Sequence, residues 1–322
     1  MASDTTSGTT QRPATPELIK AIPVRHPGRW IASAVIAVLA AMFIHMLVTN
    51  PVFQWGFMFD NMFTPAVLRG ARTTLIMTVL AMVLGVLLGI VLAVMRLSPN
   101  PVVSGAAWGY VWFFRAIPRI VLLFFIANLG ALYATYDLGF PFDQQLMSLF
   151  GFEGDWRFLG LNGNQIFAGF TAGLLGLALS EGAYMAEIVR AGIQSVEPGQ
   201  AEAASALGMS RGKTTRRIVL PQAMRVIIPP TGNETIAMLK DTSLLIAVPV
   251  TAELSFQLRA VGSRTFQIIP MAVAAILWYL ALTSLLMVGQ YFLEKRFSRG
   301  VGSKETRAQR GAREAQEVGG SK

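Results

Sequence analysis

The sequence predicts an all-α membrane protein of about six transmembrane helices, and three observations carry that expectation. Hydrophobic residues make up 53% of the 322 residues and charged residues only 14%, against about 25% charged in soluble domains. The apolar residues gather into long runs, enough for roughly six crossings of about 20 residues each. The Lys and Arg residues behind the net charge of +9 concentrate at the two ends and in one central insert, as cytoplasmic segments do. Charge placed in this way argues against nucleic acid as a partner, which would need a basic face. The chain has no cysteine, so disulfides and thiolate metal sites are excluded. His26 and His45 fit no ligand pattern, and neither a metal nor a catalytic residue is expected.

Taken in order, residues 1–29 are rich in Thr, Ser and Pro and include Arg12, Lys20, Arg25 and Arg29. That is the composition of a disordered cytoplasmic tail, and it leaves no evident cleavable signal peptide. Trp30 to Thr49 is the first span, closed by Asn50-Pro51. With the aromatic-rich interfacial segment after it, this span makes an extra N-terminal unit, residues 30–66. The second span runs from about Gly70 to Met95. Its Gly85 and Gly89 lie four apart, a spacing that lets two helices approach closely. Pro118 interrupts the next apolar stretch, and proline kinks a helix by removing a hydrogen bond. The expectation there is an approach segment and then a span from Arg119 to Tyr133.

Residues 134–165 are polar and turn-rich, with Asp137, Asp143, Glu153 and Asp155 against Arg157 alone, which places them outside. Ile166 to about Arg190 is the fourth span, where Gly169 and Gly173 repeat the small-residue spacing. The insert that follows carries Arg211, Lys213, Arg216 and Arg217 and belongs inside. Met224 to Val248 returns through the membrane, Pro249 to Gln267 is an outer segment, and Ile268 to Leu293 is the last span. The basic tail, residues 297–322, then lies inside, so both termini are expected in the cytoplasm.

The insert Glu202–Pro221 reads EAASALGMSRGKTTRRIVLP. Gly208 to Gly212 fits G-x-S-x-G, but a hydrolase elbow needs a strand before it and a histidine after it, and no histidine follows His45. Gly208 to Thr214 falls one residue short of a phosphate-binding loop. The chain is therefore not expected to be an enzyme. The helix-forming run from Glu202 ends at Gly208, the residue type that commonly stops helices. Glu202 can act on the helix start electrostatically or pair with a basic group on a partner.

Glu202-Ala203-Ala204, Gly208, Ile218 and Leu220-Pro221 stand at the full spacing of the EAA signature, and the insert resembles that of ABC-importer permeases. Phe113 to Pro118 resembles the FRGTP-like element of the polar amino-acid permeases (histidine/glutamine/glutamate type). Ser180 to Tyr184, Ala186-Glu187 and Arg190 to Ile193 resemble that subfamily's fourth core segment. Asn233 to Leu244, ending Lys240-Asp241-Thr242-Ser243-Leu244, looks like its element after the coupling helix. Arg119 departs from the family pattern, which usually has an apolar residue there, and Glu234 falls where the subfamily varies.

The resemblance implies a type I ABC importer permease (MetI-like) fold over residues 67–296, with a coupling loop at 195–221. It implies the transmembrane subunit of an ATP-driven importer of polar amino acids in the bacterial inner membrane. Alternating access would be coupled to a separate ATPase through Glu202, Ala203, Ala204, Gly208, Met209, Ser210, Leu220 and Pro221. The implied partners are ABC ATPase subunits, an extracytoplasmic amino-acid-binding protein, and a second copy or a similar permease. ATP and magnesium would sit on the ATPase, with no cofactor on this chain. A secondary transporter or channel working without an ATPase is the competing class, and it leaves the insert unexplained.

Polar and charged residues near or inside spans are candidates for the substrate pathway: Arg115, Glu181, Asn233, Glu234, Lys240, Asp241, Thr242 and Ser243. Pro229-Pro230 is expected to break the fifth span, and broken helices expose backbone groups that bind charged ends of substrates. Asn233 and Lys240 share one helix face, while Glu234 and Asp241 share another about 100° away. That arrangement suits a zwitterion. The other reading is that these residues hold the permease halves together, the preferred one for Lys240 and Asp241. Glu187 and Arg190, three apart, are expected to form a structural salt bridge.

Overall fold

The computed structural model describes residues 27–132, 135–139, 143–151, 157–248 and 250–297. The expected N-terminal tail before Pro27, the basic tail beyond Phe297, and the acidic residues Glu153 and Asp155 lie outside these. Of the described residues, those up to Pro51 form one unit and those from Val52 another. In the first, α1 (Pro27–Thr49) is a single apolar helix that begins three residues before the expected Trp30. Its Ser33 and Thr49 hydroxyls donate to the carbonyls of Arg29 and His45, four residues earlier.

The second unit opens with the short α2 (Trp55–Asn61) and then α3 (Pro65–Arg96). Pro65 sits in the first turn, where a missing N–H costs nothing. At 32 residues α3 is about 48 Å long. Asn100 caps α4 (Pro101–Ala116), its side chain accepting from the amides of Val102 and Val103 at 2.9 and 3.4 Å. Ile117-Pro118 ends that helix. The chain resumes as α5 (Arg119–Ala127), turned by 102° from α4, so the bend falls at the expected proline. The expected span over Arg119–Tyr133 is corrected, however. The nine residues of α5 reach only about 14 Å, and α4 and α5 have the length and composition of a span only when taken together, as a bent pair.

The polar stretch expected outside folds more than its composition suggests. β1 (Thr135–Gly139) and β2 (Arg157–Asn162) pair antiparallel, with α6 (Asp143–Leu149) between them in sequence. Arg157 bridges to Asp137 across the pair at 2.6 Å. A single turn, α7 (Gly163–Ile166), precedes α8 (Gly169–Gln194).

The insert becomes α9 (Pro198–Ala206), α10 (Arg211–Thr214) and a π-helical turn, Thr215–Val219. The π turn runs directly into α11 (Leu220–Asp241), and a 3-10 turn, Thr242–Ala247, follows. α12 (Leu254–Thr265) and α13 (Ile268–Phe297) close the described chain.

The expected break at Pro229-Pro230 is also corrected, because both prolines lie inside a continuous α11. Each removes one N–H and with it a partner for a carbonyl four residues back. Membrane helices tolerate this where neighbours and hydroxyls support the backbone. Here Ile227 and Ile236 are buried on either side, and the Thr231 and Thr235 hydroxyls donate to the carbonyls of Ile227 and Thr231.

Among the described residues four helices, α1, α3, α8 and α13, are long and apolar enough to cross a membrane, or five if the bent α4–α5 pair is counted as one span. α11 is about 33 Å long but carries Arg225, Asn233, Glu234, Lys240 and Asp241. The expected fifth span, Met224 to Val248, thus has the length without the apolar composition.

α8 is the hub. Two-thirds of its apolar stretch, 67%, is buried against 17% for α13, which accounts for its lower hydropathy. Met77, Leu123, Leu177, Met185, Met238 and Leu245 form the core around it. A second core of Met58, Val67, Leu239, Leu254, Leu258 and Met271 joins α2, α3, α11, α12 and α13. α3 packs against α8 more extensively than any other two elements pack together. Their axes meet at the expected glycines. A Cβ at Gly89 would lie 2.5 Å from Met185 Cβ, and one at Gly85 only 2.7 Å from Glu181 Cβ.

Candidate functional site

The slot opposite Gly85 is where the chemistry begins. Because position 85 has no side chain, Glu181 leaves the middle of α8 in full contact with α3 and is completely buried. A buried carboxylate needs a cationic or hydrogen-bonding partner. That partner is Arg119, the first residue of α5, delivered inward by the turn at Pro118. Its Nη2 donates to Glu181 Oε2 at 2.9 Å, and its Nη1 is paired with Asp241 Oδ2 at the end of α11. One guanidinium therefore ties α5, α8 and α11 together.

Its plane lies over the ring of Tyr184, 4.7 Å from the centroid, within cation–π range. Arg115, the last basic residue of α4, lies over the same ring at 5.3 Å. Glu234, about two turns before Asp241 on α11, is half-buried and lies in the fields of Arg119, Asp241 and Arg115. Glu181, Glu234 and Asp241 gather around Arg119, with Arg115 beside them and beside Glu187 as well. Glu181 Oε1 is buried without a hydrogen-bond partner.

The remaining candidate residues fall elsewhere. Asn233 is exposed on another face of α11, its Oδ1 accepting from Gln290 Nε2 on α13 at 2.8 Å. Lys240 is exposed. The buried Thr242 and half-buried Ser243 donate to the carbonyls of Leu239 and Lys240, each at 2.7 Å, and so close the C-terminus of α11. Glu187 and Arg190 pair as expected, Arg190 Nε donating to Glu187 Oε2 at 3.1 Å. Arg96 approaches the same carboxylate at 3.6 Å.

The structure also shows a fastening that no motif marks. Glu253 is fully buried and caps α12 by accepting from the amides of Ser255 (2.8 Å) and Phe256 (3.3 Å). It also accepts from the hydroxyls of Thr74 (2.8 Å, α3) and Tyr279 (2.6 Å, α13). Among the described residues no group of three His, Cys, Asp or Glu side chains is placed to hold a metal ion.

In the insert, α9 starts at Pro198, four residues before Glu202. Glu202 therefore lies in the second turn, exposed, and does not cap the helix. The C-terminal end matches the expectation. Gly208 has φ +73°, its amide donates to Ser205 O and that of Met209 to Ala204 O, both at 3.0 Å. These two bonds close a helix with a left-handed glycine. Ala203, Gly208, Ser210, Leu220 and Pro221 are exposed, Met209 is half-buried and Ala204 is buried. A groove lined by Glu202, Ser205, Arg211, Thr214 and Val219 runs between α9 and the π turn.

Residues 85–299 match the family of binding-protein-dependent transport system inner membrane components. The chain belongs to this family. It is 46% identical over 298 residues to the arginine transport system permease protein of Corynebacterium glutamicum, covering 92% of this chain and 89% of that one. It is 30% identical to the glutamine transport system permease protein of Escherichia coli, over 76% of this chain and 97% of that one.

Among solved structures, a chain of an amino acid ABC transporter with histidines aligns at 31% identity and a TM-score of 0.56, covering 73% of this chain and 95% of that one. A chain of an inward-facing methionine ABC transporter shares the fold at 17% identity and a TM-score of 0.52, covering 73% and 98% respectively. This chain is thus the permease subunit of a polar amino-acid ABC importer, a multi-pass membrane protein of the MetI-like fold. Membership in this family sets aside a secondary transporter or channel.

The sequence marks Arg119 only as a departure from the family pattern, gives Tyr184 only as one letter of a motif, and marks Glu253 not at all. One signal was available for the first. Acidic residues recur in apolar segments around a single Arg-Ala-Ile-Pro-Arg run, and interior acids need an interior cation.

Proposed function

We propose that this permease carries cationic amino acids, with arginine as the leading substrate, through a pathway lined by Glu181, Glu234 and Asp241. The observation that supports this most is that Glu181 and Asp241 already hold a guanidinium, that of Arg119, while one buried oxygen of Glu181 has no donor. A low-dielectric interior discriminates strongly against an unneutralised charge. The 46% identical relative is named for arginine, which agrees.

In this reading α9 sits in the cleft of an ABC ATPase, and the exposed faces of Ala203 and Gly208 make the contact. The basic Arg211, Lys213, Arg216 and Arg217 lie on the cytoplasmic side, as do both termini. ATP and magnesium bind the ATPase, and an extracytoplasmic binding protein delivers substrate. The exposed polar side of α11, with Arg225, Asn233 and Lys240, cannot face lipid cheaply. A second copy or a similar permease covers it.

The test is uptake by the assembled importer in proteoliposomes, with the twenty amino acids as competitors. Arginine and lysine should compete and glutamine, glutamate and leucine should not. Equal competition by glutamate would overturn the cationic assignment.

A further inference from the structure

Arg119 already does inside the protein what a substrate guanidinium would do on arrival: it bridges Glu181 to Asp241. We propose that Arg119 is a tethered occupant of the substrate's side-chain site, displaced towards Glu234 when an external cation enters. Selectivity then arises from competition between two cations for the same carboxylates. This inference rests on the pathway reading given above.

Four observations carry it. Arg119 is held by two carboxylates on different helices, so its present position is a site for a guanidinium with its ligands in place. Glu181 Oε1 is fully buried and unpartnered, an acceptor that Arg119 leaves unused. Glu234, the third carboxylate, lies within Arg119's field, and the Tyr184 ring offers the guanidinium a face along which to move. A neutral substrate gains nothing by displacing Arg119, since it would leave Glu181 and Asp241 facing each other uncompensated.

The competition is testable in the purified permease–ATPase complex by binding of radiolabelled arginine, with citrulline as the neutral isostere. Arg119→Gln removes the internal competitor and is expected to tighten arginine binding about tenfold (one unit of log Kd) without tightening citrulline. Arg119→Lys keeps a charge but not the planar fork that bridges two carboxylates. It should tighten arginine binding about threefold, and it stands as the test if the Gln variant does not assemble. Weaker arginine binding in either variant, or none of the expected tightening, overturns the proposal. Wild-type protein that binds arginine no better than citrulline would instead overturn the pathway reading itself.

Discussion

Gly89→Ala is the most direct test of how α3 meets α8. The added Cβ would lie 2.5 Å from Met185 Cβ and 2.9 Å from the amide nitrogen of Ala186. Carbon atoms pack best at about 3.5–4.0 Å, so the shortfall is roughly 1 Å. Neither obstacle is the far end of a flexible side chain: one is the first atom of a side chain and the other is backbone. The helices must separate instead, loosening the hub of the core. Overpacking of this kind costs about 1–3 kcal/mol, which for a domain of this size lowers the melting temperature by about 2–12 °C.

The assay is thermal unfolding of the assembled importer in nanodiscs, with Gly109→Ala as the control. A Cβ at Gly109 meets nothing within 4 Å, and alanine in a helix interior is worth about 0.5–1 kcal/mol over glycine. The control should therefore melt at or above the wild type. If Gly89→Ala melts as high as Gly109→Ala, the close-approach argument is wrong. Gly85→Ala adds a second readout, because its Cβ would press on Cβ and Cγ of Glu181 at 2.7 Å. It should lower both stability and arginine uptake.

Three further outcomes are expected. Gly208→Asp places an L-residue at φ +73°, costing about 1–2 kcal/mol locally. It should leave membrane insertion intact and abolish transport-stimulated ATP hydrolysis, so normal stimulation would contradict the coupling role of this turn. Glu253→Leu removes the shared acceptor of three hydroxyls, those of Thr74, Ser255 and Tyr279, and of two amides, and should destabilise by at least about 3 kcal/mol, with Glu253→Gln losing less. Equal melting temperatures for those two variants would show that the hydrogen bonds are not what fastens α12. Glu234→Gln should reduce the preference for arginine over neutral amino acids in competitive uptake while the complex still assembles, and an unchanged profile rejects a specificity role.

The parts of this architecture that sequence reveals are those with local causes. The Gly85–Gly89 spacing, the bend at Pro118, the stop at Gly208 and the Glu187–Arg190 pair each depend on residues at most a few positions apart. Pro229-Pro230 misled because the breaking tendency of proline is local, whereas the packing that overrules it comes from α8 and α13. The centre of the candidate site joins residues 119, 181 and 241, and Glu253 joins residues 74 and 279. Pairings 62, 122 and 179 positions apart leave no periodic trace. What the sequence does offer is acids in apolar surroundings, without the address of the cation that answers them.

The passage from α10 through the π turn into α11 is unbroken helical backbone, from Arg211 to Asp241. It is about 45 Å long, and the π turn and Pro229-Pro230 are the two places along it where the regular hydrogen-bond ladder is interrupted. Its near end borders the groove beside α9, and its far end carries the carboxylate that holds Arg119. If the insert moves, those two places set how much of the movement reaches the ion pair.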